Sequence, residues 1–277
     1  MRAPADQRMR ALVAANRSPQ AVFLCYHSVT ECGPPWLSLP PELFERQLAL
    51  LRRRGYAAGN VDALRALARG ERPARPLAFL TFDDGFADNH SIAAPLLRHY
   101  GLSAFIFVLP PLLEAGAPLA WAEVEERRRR HPEVMRSLTW RQVEDLADAG
   151  LTIGSHTMSH RRLSELGAEE RTQELLDSRR AIARRLGRCE TLAYPFGDWD
   201  ASVARAAARA GYSWAFTMPG TGQLRAHRLG LPRIAVDHRD TERRFRLKLS
   251  AAGRQLLLSP PKAVVRGVTR GKDASGP

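Results

Sequence analysis

Leu77-Ala78-Phe79-Leu80-Thr81-Phe82-Asp83-Asp84-Gly85 is an apolar run that ends at once in two adjacent carboxylates and a glycine. A run with no polar alternation reads as a strand buried on both faces, the signature of a parallel sheet covered by helices. Such a strand delivers its last residues to the carboxyl-terminal mouth, where α/β barrels carry their chemistry. Successive side chains on a strand point to opposite faces, so Asp83 and Asp84 share one cleft only if the backbone turns, and Gly85 permits the turn. One acid is then available for a metal and the other for a proton. Two acids at a strand end also serve as plain turn and cap residues, and this stretch alone leaves both readings open.

The pattern recurs on either side. Ala21–Val29 reads as a first strand that carries His27, Ser103–Leu109 as a third strand broken by Pro110-Pro111, and Leu151-Thr152-Ile153 as a fourth that runs into Gly154-Ser155-His156-Thr157-Met158-Ser159-His160. Thr191–Tyr194 makes a fifth, closed by Pro195-Phe196-Gly197, and Tyr212–Thr217 and Leu231–Val236 come after it. Helical stripes lie between them, from Pro41 to a stop at Gly55, over Val61–Ala68, Ser91–Tyr100, Thr139–Ala149, Ala168–Leu186 and Ala201–Ala210. Strand and helix alternate seven times, which predicts an α/β chain with a seven-stranded parallel β/α barrel. Polar residues at several strand ends favour closure over an open sheet.

At 277 residues, 44% of them hydrophobic, the chain is long enough for one large core. Residues 21–240 are expected to form the catalytic unit, with 1–20 an N-terminal extension and 241–277 a basic amphipathic segment and tail. The formal charge of +13 comes almost wholly from arginine, since the only lysines are Lys248, Lys262 and Lys272. That balance suits an acidic polymer, an anionic membrane surface or nucleic acid, or a drift toward arginine on a solvated surface. No nucleic-acid motif is present, so no specific nucleic-acid partner is expected. Arg243–Leu249 and Gln255–Leu258 form either a terminal helix packed on the barrel or a peripheral contact with a membrane. Pro111–Ser137, with Trp121 and the run Arg127–Arg130, reads as a solvated helix or a lid. The tail Gly271–Pro277 is expected to be disordered.

Cys25, Cys32 and Cys189 make no disulfide framework and have no metal-type spacing; Cys25 reads as a small buried hydrophobe. Met1–Gln20 lacks the apolar core of a signal peptide, and no stretch approaches the ~20 residues of a spanning helix. The expected location is cytoplasmic, with the inner face of the membrane as the place for any peripheral contact. Oligomeric state is not written in the sequence.

His156 and His160 stand four apart, a spacing that on a helical turn puts two imidazoles on one side. By itself the pair is weak. It begins, however, immediately after a strand, at the same end of the barrel as Asp83 and Asp84. Two imidazoles and one carboxylate with positions left open describe a hydrolytic metal site and not a closed structural one.

Thr81-Phe82-Asp83-Asp84-Gly85, His156-Thr157-Met158-Ser159-His160 and Tyr194-Pro195-Phe196-Gly197 together resemble, in order and spacing, the first three motifs of the polysaccharide deacetylases, carbohydrate esterase family 4 with its NodB homology domain. The resemblance covers roughly 21–237. It implies a distorted seven-stranded β/α barrel that removes N-acetyl, occasionally O-acetyl or N-formyl, groups from a carbohydrate substrate with a divalent metal, usually zinc, with Co2+, Ni2+ or Fe2+ as others. By the motif match Asp84, His156 and His160 hold the metal, Asp83 is the general base, and the Phe196 backbone N–H meets the oxyanion. Tyr194, in the third motif, and Trp199, just after it, are expected to meet substrate.

Two positions depart from the family. Ala193 stands where an arginine commonly pairs with the base, and Arg233 is the expected replacement. The usual C-terminal histidine motif for the general acid is not legible. His27 resembles the first-strand histidine of the branch that includes exopolysaccharide poly-N-acetylglucosamine deacetylases, with His238 as the fallback. The expected activity is N-deacetylation of an N-acetylhexosamine in a glycan or lipid-linked sugar. A deformylase or other amidohydrolase of a sugar amide shares every named residue, and a non-catalytic glycan binder on this fold is the third reading.

Overall fold

The computed structural model describes residues 20–119, 125–132, 134–219 and 228–258. The extension 1–19, Trp121 and the tail 271–277 lie outside them. Six strands, β1 (Ala21–Tyr26), β2 (Leu77–Phe82), β3 (Ala104–Val108), β4 (Thr152–Ser155), β5 (Thr191–Ala193) and β6 (Trp214–Thr217), pair in parallel with their sequence neighbours. Two short strands, β7 (Leu231–Pro232) and β8 (Ile234–Ala235), complete the sheet. β7 pairs with β6 through Leu231↔Phe216, and β8 pairs with β1 through Leu24↔Ile234. One five-residue segment therefore joins the two edges, and its midpoint, Arg233, is the closure.

Counted as pieces the ring has eight strands; counted as staves it has the expected seven, with the last one broken. The distortion is concentrated at β4 and β5, which share a single registered pair, Ser155↔Leu192. A further strand at Ala57–Ala58 pairs with the start of β2 at the closed end.

Alternation decides what faces inward. Phe23, Phe79, Phe105, Phe107 and Phe216 point into the barrel and pack on one another, with Phe23 and Phe79 stacked at 4.4 Å and Phe216 at 5.4 Å from both Phe105 and Phe107. Each such ring removed from water contributes roughly 1.5–3 kcal/mol. Gly154 faces this layer: a Cβ there would lie 2.5 Å from the Phe107 ring and 2.4 Å from Thr191 Oγ1, so only glycine lets β4 approach. The opposite parity faces the helices. Tyr26 and Phe82 meet Phe44 of the helix Pro41–Arg53 at 5.4 and 5.8 Å, and the Tyr26 hydroxyl donates to Gln47 at 3.0 Å.

Most helix limits agree with the sequence signals. Thr139 caps Trp140–Asp148 with a full capping box, and Gly187 ends Ala168–Leu186 in the left-handed region. The helix expected over 91–100 begins instead as a π-helical turn, Asn89–Ala93, before Ala94–His99. The basic C-terminal segment folds as helices Glu242–Leu249 and Ala251–Leu257, and the first buries Phe245 and Leu249. No described helix is long and apolar enough to cross a membrane.

Candidate active site

The inward parity of β2 runs through Phe79 and Thr81 to Asp83, whose N–H still donates to the Tyr26 carbonyl at 3.0 Å. The chain then turns: Asp84 itself takes φ +70°, and Gly85 after it φ +64°. The turn is thus shared by the acid and the glycine, and it sends the two carboxylates to different partners.

Asp83 meets Arg233 in a two-pronged ion pair, Nη1 to Oδ1 at 2.6 Å and Nη2 to Oδ2 at 2.7 Å, with Nη1 also donating to Thr81 Oγ1 at 2.9 Å. Arg233 is fully buried, and its guanidinium lies 5.8 Å from the ring centres of Phe107 and Phe216. Burial pushes the Asp83 carboxyl up, but the Arg233 charge and then His156 more than offset this and hold it well below the usual carboxylate range. The Cys25 thiol donates to Asp83 Oδ2 at 3.5 Å. Burial pushes that thiol up, so it is the protonated partner.

Asp84 faces the histidines. Its Oδ1 lies 3.3 Å from His156 Nε2 and 3.4 Å from His160 Nε2, yet this buried oxygen receives no hydrogen bond of acceptable geometry. For a tetrahedral zinc with N and O ligands at ~2.0–2.2 Å, the ligand-to-ligand edge is about 3.4 Å. The orphaned oxygen and both spacings therefore fit a divalent cation. His156 Nδ1 is 2.8 Å from the Ala193 carbonyl, which as acceptor fixes the tautomer leaving Nε2 for the cation. Burial lowers the His160 imidazole to about 4 despite the nearby Asp84 charge, so it is neutral and ligand-ready at neutral pH.

The two histidines do not share a helical turn. Residues 156–160 form a loop in which Thr157 has φ +69° and His160 φ +56°, both unusual for side-chain-bearing residues. Glu174, on the helix Ala168–Leu186, holds it by accepting from the N–H groups of Met158 at 2.8 Å and Ser159 at 3.0 Å. The helical turn expected from the spacing is a loop instead, and the loop brings the two imidazole rings to 5.0 Å of each other.

A cavity of about 320 Å³ opens over these groups, lined by Cys25, His27, Trp36, Leu37, both aspartates, both histidines, Arg162, Phe196, Gly197 and Met218. His27 stands beside Asp83, with one ring nitrogen, Cys25 Sγ and an Asp83 oxygen mutually within 4.8 Å. Its segment is clasped from behind: Asn89 donates to the His27 carbonyl at 2.8 Å, and Asp88 accepts from Val29 N at 3.0 Å. Burial raises the Asp88 carboxyl to about 6 despite these donors. Phe196, at φ +58°, sits 4.7 Å from the His160 ring and carries the Arg162 guanidinium at 4.3 Å.

Tyr194 and Trp199 are not brought into the cavity. Tyr194 is buried, donates its hydroxyl to the Leu229 carbonyl at 2.9 Å and stacks on Trp199 at 6.1 Å, so the pair supports the wall from behind. His238 points to the Pro35 carbonyl outside the cavity. Sequence reasoning missed Trp36, Arg162, Asp88 and Glu174. Trp36 and Arg162 lie in segments without periodicity, whereas Asp88-Asn89, just past Gly85, was the one legible signal. A larger hollow of about 650 Å³ at the closed end is lined by paired charges such as Arg65 with Glu190 and holds no such constellation.

A sequence profile described as polysaccharide deacetylase matches residues 70–215. The chain belongs to the polysaccharide deacetylase family. The chain is accordingly a carbohydrate deacetylase, a hydrolase, and the family it belongs to is generally metal-dependent. It is 27% identical over 229 residues to YxkH of Bacillus subtilis (strain 168), which is named after the same family, covering 82% of this chain and 75% of that one. Among solved structures it is similar to the Streptococcus pyogenes deacetylase PplD, at 25% identity and TM-score 0.70, over 83% of this chain and 98% of that one. IcaB from Ammonifex degensii, at 22% identity and TM-score 0.66, matches 85% of this deacetylase and 97% of its own length in fold.

Proposed function

We propose that this deacetylase removes N-acetyl groups from an N-acetylhexosamine in a glycan or lipid-linked sugar, with Asp84, His156 and His160 as metal ligands, Asp83 as base and His27 as acid. The observation that carries the reading is the divergence of the two aspartates. Asp84 Oδ1 stands at cation-ligand spacing from two imidazoles, while Asp83 is held by Arg233. A divalent cation bound there, zinc best and Co2+, Ni2+ or Fe2+ as substitutes, would acidify water and polarise the amide carbonyl.

Asp83 does the proton work. A carboxylate oxygen has two acceptor positions: Oδ2 gives both to Arg233 and Cys25, whereas Oδ1 gives one to Arg233 and keeps one. Asp83 Oδ1 therefore takes the proton from the attacking water. Arg233 keeps that carboxylate ionised and aimed, replacing the arginine absent at Ala193. His27, beside Asp83 in the cavity lining, delivers a proton to the departing amine, a step general acids of this type supply. The Phe196 backbone N–H meets the carbonyl oxygen as it gains charge. Trp36, 54% exposed at the mouth, offers a flat face on which a sugar ring rests.

The catalytic unit in this reading is 21–240. Exposed Leu247, Leu256 and Leu257 beside Arg243 and Arg244 support a peripheral contact of the 241–277 segment with an anionic membrane surface. The unpaired cysteines suit a reducing, cytoplasmic setting for that contact.

Metal analysis coupled to product assay tests the proposal. Acetate release from N-acetylated oligosaccharides that requires added zinc and disappears in Asp83→Asn is expected. Release of formate from formamido sugars, with acetamido sugars untouched, would replace it by the deformylase reading. Binding without release of either acid would leave a glycan-binding protein.

A further inference from the structure

Cys25 occupies an unusual place for a thiol. It comes two residues after Phe23 on the inward face of β1, lies fully buried one layer above the phenylalanines, and has its Sγ within reach of Asp83 Oδ2 and, at 3.8 Å, of the Tyr26 carbonyl. Its Sγ, an imidazole nitrogen of His27 and an Asp83 oxygen lie within 4.8 Å of one another, separate from the Asp84, His156 and His160 group. The Sγ to Asp83 Oδ2 separation is 3.5 Å. With Zn–S at ~2.3 Å and Zn–O at ~2.0–2.2 Å, the S-to-O edge of a tetrahedral site is about 3.6 Å.

We propose that Cys25 Sγ, His27 and Asp83 Oδ2 form a second cation site beside the first, one that takes a thiophilic divalent cation and blocks the reaction when filled. The exchange balances simply. The cation replaces the thiol proton that now bridges Sγ and Oδ2; a metal–sulfur bond forms, the S–H bond breaks, and the proton passes to solvent. The lone pair of His27 completes the three protein ligands. No movement of Arg233 is required, because its two N–H bonds use other acceptor positions on the carboxylate.

Two features make this site the weaker of the two. Arg233 lies against the shared carboxylate and repels a cation, and an ion in the first site repels it again. The second site therefore fills only at excess metal, and it prefers soft ions such as Cd2+, which favour thiolate, over Mg2+ or Ca2+. Inhibition stems from the proposed roles of His27 and Asp83 and rests on that reading: a filled site takes the lone pair of the acid and sets a positive charge against the base.

The test is a titration of metal-free protein with Cd2+, monitored by equilibrium dialysis, by the ultraviolet thiolate-to-cadmium charge-transfer band and by proton release. Two bound ions are expected, the second bringing the band and one released proton. Cys25→Ser should bind one ion without the band, Cys32→Ser should keep both, and Asp84→Ala should keep the band while losing the other ion. One bound ion and no band in the unmodified protein overturns the proposal without recourse to any variant, as does a band that vanishes in Cys32→Ser and survives in Cys25→Ser. These readouts need no substrate, so they stand or fall apart from the deacetylase reading. In the activity assay, excess Zn2+ should suppress acetate release in the unmodified protein and lose that effect in Cys25→Ser.

Discussion

The floor and the mouth of the barrel are built from the same strands by opposite rules. On the floor, Phe23, Phe79, Phe105, Phe107 and Phe216 obey strict alternation on regular backbone and pack on one another, with only the Arg233 guanidinium reaching down to Phe107 and Phe216 from the mouth. At the mouth, the same strands continue as His27, Asp83, Asp84 and His156, nearly all buried and nearly all charged or polar. Every side-chain-bearing residue with positive φ among the described residues belongs to the mouth: Asp84, Thr157, His160 and Phe196. Conformations of this kind cost of order 1–3 kcal/mol each and persist only where surrounding contacts over-determine them. The floor supplies the stability, and the mouth draws on it to hold groups that would not assemble alone.

Substitutions can separate the two regions. Arg233→Ala should have the largest effect, about 3–5 kcal/mol lost in urea unfolding, because it leaves the Asp83 carboxylate buried without its counter-ion. It should also alter the pH profile. With Arg233 present the Asp83 pKa is depressed, so the pair stabilises fully above the ordinary carboxylate range and loses its effect as pH falls through the lowered value. Without it, burial is left to raise the pKa, and the acid limb of kcat/KM should move to higher pH. Phe107→Ala, on the floor, should cost a similar ~3–5 kcal/mol while leaving that limb in place. A shared pH shift in both variants would erase the distinction.

Smaller effects are expected where the mouth is only braced. Glu174→Gln, which weakens the grip on the Met158 and Ser159 N–H groups, should lower zinc affinity roughly 10-fold, as outer-shell changes do, with little change in unfolding. Thr157→Gly should run the other way. It relieves a left-handed β-branched residue and removes a buried hydroxyl without a partner, and should stabilise the fold by about 1 kcal/mol while lowering turnover. A destabilised Thr157→Gly would show that the loop is not strained.

The same contrast governs how much could be read from the chain. Strand order and helix positions come from periodicity and from end signals within short segments, whereas the choice of Asp84 as the carboxylate grouped with His156 and His160 comes from the resemblance to the family's motifs. Arg233 as the partner of Asp83 was accessible because the resemblance calls for an arginine that is missing at Ala193, and it is also the point of ring closure. The illegible part depends on contacts remote in sequence. Glu174 bracing the histidine loop and Trp36 at the rim leave no local periodic trace. Tyr194 and Trp199 illustrate the converse: a motif position marks a segment as part of the site without saying which of its side chains face the cavity.

The proposed chemistry turns on one cation shared by Asp84, His156 and His160, with Asp83 left beside it. An anomalous-difference map from crystals grown with one equivalent of zinc tests this directly. A single dominant peak is expected, bonded to Asp84 Oδ1 and to Nε2 of both histidines, with Asp83 still paired to Arg233. A dominant peak elsewhere, or one bonded to Asp83 in place of Asp84, would contradict it.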